Sequence, residues 1–295
     1  VIVTTTMAMI LVDEGKLDLD KPVSAFIPAF RGGAKDKVTV RHLLSHSAGL
    51  EAFGPLFKEI RGKEAYVQRI AAKELEYEPG TKSVYSDWGV ILLGEIVERV
   101  AGRDLAAFAR ARIFEPLGMK ETMYKPPAAL LPRIAPTEQD PWPEGRRGPG
   151  PVIRGAVHDE NAFAMGGVAP HAGLFGTAPD LARFAQMMAW GGVYGHQRIV
   201  SRATVEKFTT RAGVPDSSRA LGWDTPSASS SAGDLASPRA FGHTGFTGTS
   251  MWVDPEKDTW FILLTNRVHP SRENNAIRAV RRAFADAVLG GLARP

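Results

Sequence analysis

The stretch GTSMWVDPEKDTWFILLTN, residues 248 to 266, constrains the fold more than any other part of the chain. Two runs rich in aliphatic and aromatic residues flank DPEKD, a polar connection of hairpin length. Residues 239 to 265 therefore read as two or three antiparallel strands, and LGWDT at 221 is strand-like as well. Behind them, residues 273 to 289 place Ile277, Val280, Ala283, Phe284 and Val288 on one helical stripe, suited to covering a sheet face. Strands and a terminal helix that follow a mostly helical body make an α+β plan. There are too few strands for a good sheet, so the first part of it is expected upstream of residue 1.

The helical body occupies about residues 1 to 219, and the strands with the C-terminal helix about 220 to 295, within one domain spanning 1–295. Val1, Met7, Ile10 and Leu11 fit helical spacing, and Glu14-Gly15 closes the pattern. No capping residue precedes that helix, which predicts that its first turn lies before Val1. KLDLDKPVSAFIPAF reads as an extended connection. VTVRHLLSHSAGL predicts a short helix with Leu43 and Leu44 inward, ending near Gly49, and KEAYVQRIAAKEL a second helix. From Asp87 to Val100 the apolar residues again recur at helical spacing, stopped by Gly102, and a further helix covers about 104 to 114. Residues 126 to 151 contain eight prolines, which predicts a wrapped loop. APDLARFAQMMAWGG returns to helix, with Pro179 in its first turn and Gly191 beyond its end. No internal repeat is found.

Composition removes several function classes. A net charge of +4 without a basic run gives no concentrated footprint for nucleic acid; RGGAKDKVTVRH and RAVRRAF read as solvated faces. The absence of cysteine excludes disulfides, thiolate metal sites and a cysteine nucleophile. The apolar opening VIVTTTMAMILVDEG is too short to span a membrane and lacks the layout of a signal peptide, so no transmembrane segment is expected in this chain.

The chain contains no Gly-x-Ser-x-Gly elbow, P-loop, His-Glu-x-x-His or glycine-rich dinucleotide turn. Three stretches stand out instead: YSDWG at 85, VHDENAFAMGGVAPHAGLFGTA at 157, and HTG at 243. Tyr85 falls at a helix N-terminus, where the dipole favours a phenolate and a general base is possible; capping by Ser86 or Asp87, with Tyr85 as a hydrophobic staple, is the plainer alternative. His243, Thr244 and Gly245 combine an imidazole, a small hydroxyl and a bare backbone. A strand edge of that kind can hydrogen-bond a substrate as an added strand would, and the backbone N–H of Phe246 can then help build an oxyanion hole. His158, Asp159, Glu160 and His171 are ligand types for a metal, but the stretch reads better as structural or cleft-lining. His42 and His46, four apart on a short helix without carboxylate support, read as structural.

Taken together, YSDWGVILLGEIVERVAG and FGHTGFTGTSMWVDPEKDTWFILLTN resemble the second and third elements of the serine β-lactamase-related hydrolases, with VTVRHLLSHSAGL and EPLGM as further landmarks. That family comprises class C β-lactamases, low-molecular-weight penicillin-binding proteins and related esterases. The resemblance implies their fold: a helical subdomain plus an antiparallel sheet flanked by helices. It also implies a serine that attacks an ester or amide carbonyl, with lysine and Tyr85 moving its proton and an acyl-enzyme as intermediate. On this reading the serine and Phe246 N–H groups hold the oxyanion, and His243, Thr244 and Gly245 line the substrate edge. Asp87 stands where the family usually has asparagine, and as an acceptor it can steady the lysine ammonium. No metal or cofactor is implied. The substrate is a small-molecule ester, a β-lactam or a peptidoglycan-type peptide, and many relatives are exported.

The family's first element, Ser-x-x-Lys, is absent; TVEK at 204 is the nearest approach. By the resemblance its lysine would fall immediately before Val1, so residues 1–295 alone are expected to be inactive. His243, mostly neutral at pH 7, tilts the expectation toward esters over anionic substrates. The alternatives are a D-Ala-D-Ala peptidase or penicillin-binding protein, a non-catalytic binding module that keeps the cleft, and a Ser-His-Asp hydrolase using His243.

Overall fold

A helix that is apolar or small on every side has to be surrounded by protein, and α1 (Ile2–Asp13) is such a helix. The computed structural model describes residues 1–142, 147 and 150–292. Every residue of α1 from Val3 to Leu11 is buried, Thr4, Thr5 and Thr6 included, so the one-sided stripe expected from Val1, Met7, Ile10 and Leu11 is too narrow. Two of the threonines make this burial tolerable. Thr6 donates to the Ile2 carbonyl at 2.9 Å, and Thr4 donates to the Pro170 carbonyl at 2.8 Å.

The other helices of the body are α2 (Val40–Leu44), α3 (Lys63–Ala72), α4 (Asp87–Ala101) and α5 (Leu105–Ala109), which continues as a π-turn over Arg110–Phe114. α4 packs against α1, α2, α3 and α5, and its sequence explains why. Residues Trp88 to Val97 are all buried, Ser86 caps its start through Gly89, and Gly102 closes it in the left-handed conformation. α2 is shorter than expected. It stops at Leu44, and His46 has a positive φ of 54° in the turn that follows, so His42 and His46 do not share a helix face.

The proline-rich connection 126–151 is a loop with one 3-10 turn, Ala128–Arg133, and an isolated bridge between Gln139 and Val152; its residues 143–146 and 148–149 lie outside the described residues. β1 (Met123–Tyr124) pairs with β2 (Leu174–Phe175), and between them runs α6 (Glu160–Ala164). Then come α7 (Ala178–Ala189), the hairpin β3 (Val193–Tyr194) with β4 (Gln197–Arg198), and α8 (Arg202–Thr209), which the sequence reading did not single out.

The three-stranded antiparallel sheet has the order β5 (Phe241–Thr244), β6 (Thr249–Asp254), β7 (Thr259–Leu264), with His243 opposite Met251 and Trp252 opposite Phe261. Alternation along β6 sorts its side chains between two faces. Met251 and Val253 join the main core on the α7 side, while Trp252 joins Phe261, Ala285 and Leu289 beneath α9 (Ile277–Gly291). The stripe of α9 is shifted from the expected one. Ile277, Arg281, Ala285 and Leu289 are buried, whereas Val280 is 46% exposed. LGWDT is not a strand; it touches the sheet through one bridge, Asp224 to Gly242. The arrangement is the α+β plan, and among the described residues no helix is long and apolar enough to cross a membrane.

Candidate active site

The turn before α4 sets the first group. Ser86 takes the cap, so Tyr85 stands just outside the helix and Asp87 is its first residue. Tyr85 is no staple. Its ring lies 4.4 Å from that of His46 and 5.9 Å from that of His243, and the Arg219 guanidinium sits 5.0 Å from its centroid. The Ser86 N–H donates to Nδ1 of His46 at 3.1 Å, and Ser86 Oγ donates to the Glu51 carbonyl at 2.6 Å, which fixes the turn from below. Burial, with the nearby Asp87 charge, raises the Tyr85 phenol above its ordinary range, against the pull of Arg219. This setting favours the protonated phenol, in the opposite sense to the pull of the helix dipole. The Asp87 carboxyl is also raised, chiefly by burial.

β5 supplies the second group. Gly242 exchanges both backbone bonds with Asp224, so the N–H and C=O of Thr244, two residues on, face the same free edge of the sheet. Nδ1 of His243 lies 2.8 Å from the Thr244 carbonyl. A carbonyl can only accept, so Nδ1 carries the proton and Nε2 is a bare acceptor. That Nε2 is buried and has no partner among the described residues. Burial, helped by Arg219, pushes the His243 pKa down from 6.5 to about 3, so the imidazole is neutral at pH 7.

The turn after β5 is bolted in place. A side chain at Gly245 would run into Thr249 Oγ1, and the Gly245 N–H bonds the Thr249 carbonyl at 2.8 Å. Arg281 donates to the carbonyls of Gly245 (2.6 Å) and Thr249 (2.7 Å), and Arg267 to that of Phe246 at 2.7 Å. The Phe246 ring, 58% exposed, is held between the Arg267 guanidinium at 4.1 Å and the His158 ring at 5.7 Å. The Phe246 N–H has no acceptor among the described residues.

The 157–178 stretch reaches the site through His158, Asp159 and His171. Asp159 caps α6 through Ala162 and accepts from His171 Nε2 at 3.0 Å. Burial opposes ionisation of Asp159, but these hydrogen bonds hold its pKa below the ordinary carboxylate value. Asp87, Asp159 and His171 offer ligand atoms within 4.8 Å of one another, so Asp87 meets this loop directly. Below it, the buried Glu138 accepts from His158 at 2.9 Å and from Arg272, which also bonds Glu160 at 2.7 Å. Asn161 is structural: it accepts from the Phe57 N–H and the Tyr66 hydroxyl and donates to the Gly54 carbonyl.

The fold thus brings Tyr85, Asp87 and His243 together, and continues from His243 through Thr244 and Gly245 to Phe246. The backbone nitrogen of Val1, at the head of α1, is buried within electrostatic reach of Asp87 and His243. Arg219 and the approach of Asp159 and His171 to Asp87 were not foreseen. Arg219 lies in an irregular segment without periodicity, so no sequence pattern points to it; the 157–178 stretch reads from sequence only as structural or cleft-lining.

The profile of the Beta-lactamase family matches residues 2–285. A protein of Salmonella typhi, whose name places it among D-alanyl-D-alanine carboxypeptidases, is 37% identical over 289 residues, covering 88% of this chain and 65% of its own. The chain therefore spans about 65% of the length of this curated relative. A penicillin-binding protein homologue from Caulobacter crescentus superposes with a TM-score of 0.71 at 25% identity, covering 96% of this chain and 81% of that one. A β-lactamase/D-alanine carboxypeptidase from Pseudomonas syringae does so with a TM-score of 0.73 at 20% identity, covering 99% and 82%.

Proposed function

The chain belongs to the β-lactamase family, and from that premise we propose that it is the body of a serine hydrolase that forms an acyl-enzyme on small esters or peptidoglycan-type peptides. One observation carries the reading. The Tyr85 and His243 rings face each other 5.9 Å apart, and the buried backbone nitrogen at the head of α1 lies within electrostatic reach of Asp87 and His243, which supports a nucleophile carried on that helix. The nucleophile itself, a Ser-x-x-Lys, is proposed to precede Val1 in the longer protein.

The geometry supports the following roles. The lysine amine is assigned as the base, with Asp87 steadying the ammonium it becomes, and the raised Tyr85 phenol suits a proton donor. As serine Oγ bonds the substrate carbonyl carbon, its proton passes to the lysine. Tyr85 gives its own proton to the departing alcohol or amine and is reprotonated from the lysine. The Phe246 N–H, held by the clamped turn, and the serine N–H receive the oxyanion. The free edge of β5 at Thr244 aligns the substrate backbone, and Gly245 keeps that edge bare. Water then cleaves the acyl-enzyme along the same proton path.

The test is direct. The full-length protein should turn over p-nitrophenyl butyrate or an N-acylated D-Ala-D-Ala peptide with a trapped covalent acyl group, whereas residues 1–295 alone are silent. Tyr85→Phe in the full-length protein should lower acylation by roughly 10²-fold with little change in stability. Turnover by residues 1–295, or normal acylation by the variant with an intact fold, would remove this assignment.

A further inference from the structure

We propose that His46 is the positioning residue for Tyr85, holding the phenol where it can give its proton to the departing group, an inference that rests on the acyl-transfer reading of this cleft. His46 grips the chain on both sides of Tyr85. Its carbonyl accepts from the Val84 N–H at 2.9 Å, and its ring Nδ1 accepts from the Ser86 N–H at 3.1 Å. Between those two bonds the Tyr85 ring lies against the imidazole, with centroids 4.4 Å apart and planes inclined at 33°. A backbone N–H can only donate, so Nδ1 is the bare nitrogen and the proton sits on Nε2. His46 is buried, and that burial, with the nearby Arg219 charge, lowers its pKa, which keeps the ring neutral and the acceptor available.

Regular structure does not fix Tyr85, because residues 82–86 form neither helix nor strand. They are laid instead along the turn that follows α2. Ser83 Oγ donates to the Ser45 carbonyl at 2.9 Å, and the Gly80 N–H donates to the Ser47 carbonyl at 2.8 Å. The Tyr77 hydroxyl adds a longer bond of 3.3 Å to the His46 carbonyl. His46 itself has a φ of 54°, in the left-handed region where glycine or asparagine usually closes a helix. Glycine would avoid the backbone strain that histidine carries there, so the turn alone gives no reason for an imidazole. The acceptor for Ser86 and the surface for the Tyr85 ring do give one. The rival role for His46 is plain filling of the space behind the cleft, which would affect every substrate alike.

Two butyrate esters and the full-length protein separate the roles. The leaving group of p-nitrophenyl butyrate departs without a proton, whereas that of ethyl butyrate needs one. His46→Gly removes the acceptor while relieving the turn. His46→Asn keeps an acceptor on Cγ, and asparagine tolerates the left-handed region. His46→Gly should lower kcat/KM for ethyl butyrate roughly tenfold or more and that for p-nitrophenyl butyrate by less, and His46→Asn should recover most of the loss. With Tyr85→Phe also present, His46→Gly should add no further loss. Equal losses on both esters, unchanged rates, a loss that persists beside Tyr85→Phe, or no recovery in His46→Asn would overturn the proposal. NMR reads the placement without turnover. The ¹⁵N signals of His46 in the wild type should report the Nε2–H tautomer, and a proton on Nδ1 would overturn the proposal even where His46→Gly does not fold. The ¹³C signal of the Tyr85 ring should shift in His46→Gly and return in His46→Asn. Failure of the wild type to cleave either ester would refute the hydrolase reading, and the tautomer and the Tyr85 signal would still decide whether His46 places that ring.

Discussion

His243 shows how much a single side chain depends on what surrounds it. A lone histidine on a strand titrates near neutrality when exposed, but here burial brings its pKa down from 6.5 to about 3. The sign of the consequence follows from linkage. The unfolded chain binds a proton at this residue below about pH 6.5 and the folded chain does not, so stability from His243 is full above that pH and declines as pH falls toward 3. His46, also lowered by burial, acts in the same direction. Urea denaturation should therefore show lower stability at pH 5 than at pH 7.5, and His243→Gln should shrink the difference. An imidazole signal of His243 that titrates between pH 6 and 7 by NMR would contradict the buried, neutral state. At this scale the residue types were legible: Tyr85, Asp87 and His243 were picked out and do meet. A neutral His243 was also expected, but the size of its shift and the raised Tyr85 and Asp87 were not, because desolvation depends on atoms distant in sequence.

Elements meet where a missing side chain allows it. Gly94 lies in the middle of α4, where glycine lowers helix stability, and periodicity gives no reason for it. The structure does. A methyl group there would stand 2.5 Å from Cβ of Pro170, next to His171, whose ring bonds Asp159 in the cleft wall. The same Pro170 carbonyl accepts from Thr4 of α1, so two helices hold this loop. Gly94→Ala should therefore lose about 1–3 kcal/mol by overpacking, despite alanine's better helix propensity, and should lower turnover in the full-length protein by shifting His171. A gain in stability with unchanged turnover would show that the loop gives way freely. Helix and strand types were readable from spacing, as α4, α7 and the β6–β7 hairpin show. The stripe of α9 was misplaced because Arg281, a charged residue, is drawn inward by the Gly245 and Thr249 carbonyls.

At the scale of the molecule, ion pairs join segments that no local pattern links. Glu138, in the proline-rich connection, accepts from His158 ahead of α6 and from Arg272 after β7. Burial opposes its charge, yet the Arg272 guanidinium holds its carboxyl below the ordinary value. Glu138→Gln leaves Arg272 and His158 without their shared anion, and breaking a buried pair costs about 3–5 kcal/mol, reduced here because Arg272 is partly exposed and keeps Glu160. A loss of about 2 kcal/mol, little changed between low and high salt, is expected from denaturation. A loss below about 0.5 kcal/mol would class the pair with ordinary surface bridges. The sequence by itself determined the α+β plan, the hairpin around DPEKD, the helix from Asp87, and the two tripeptides that carry the family resemblance. Each of these rests on interactions between residues near one another in the chain, which spacing and turn chemistry record. Only the tertiary structure decided that Arg219 stands over Tyr85, that Asp159 and His171 face Asp87, and that α1 is buried on every side. Those are contacts between residues far apart in sequence, and periodicity carries no information about which distant surface a side chain will meet.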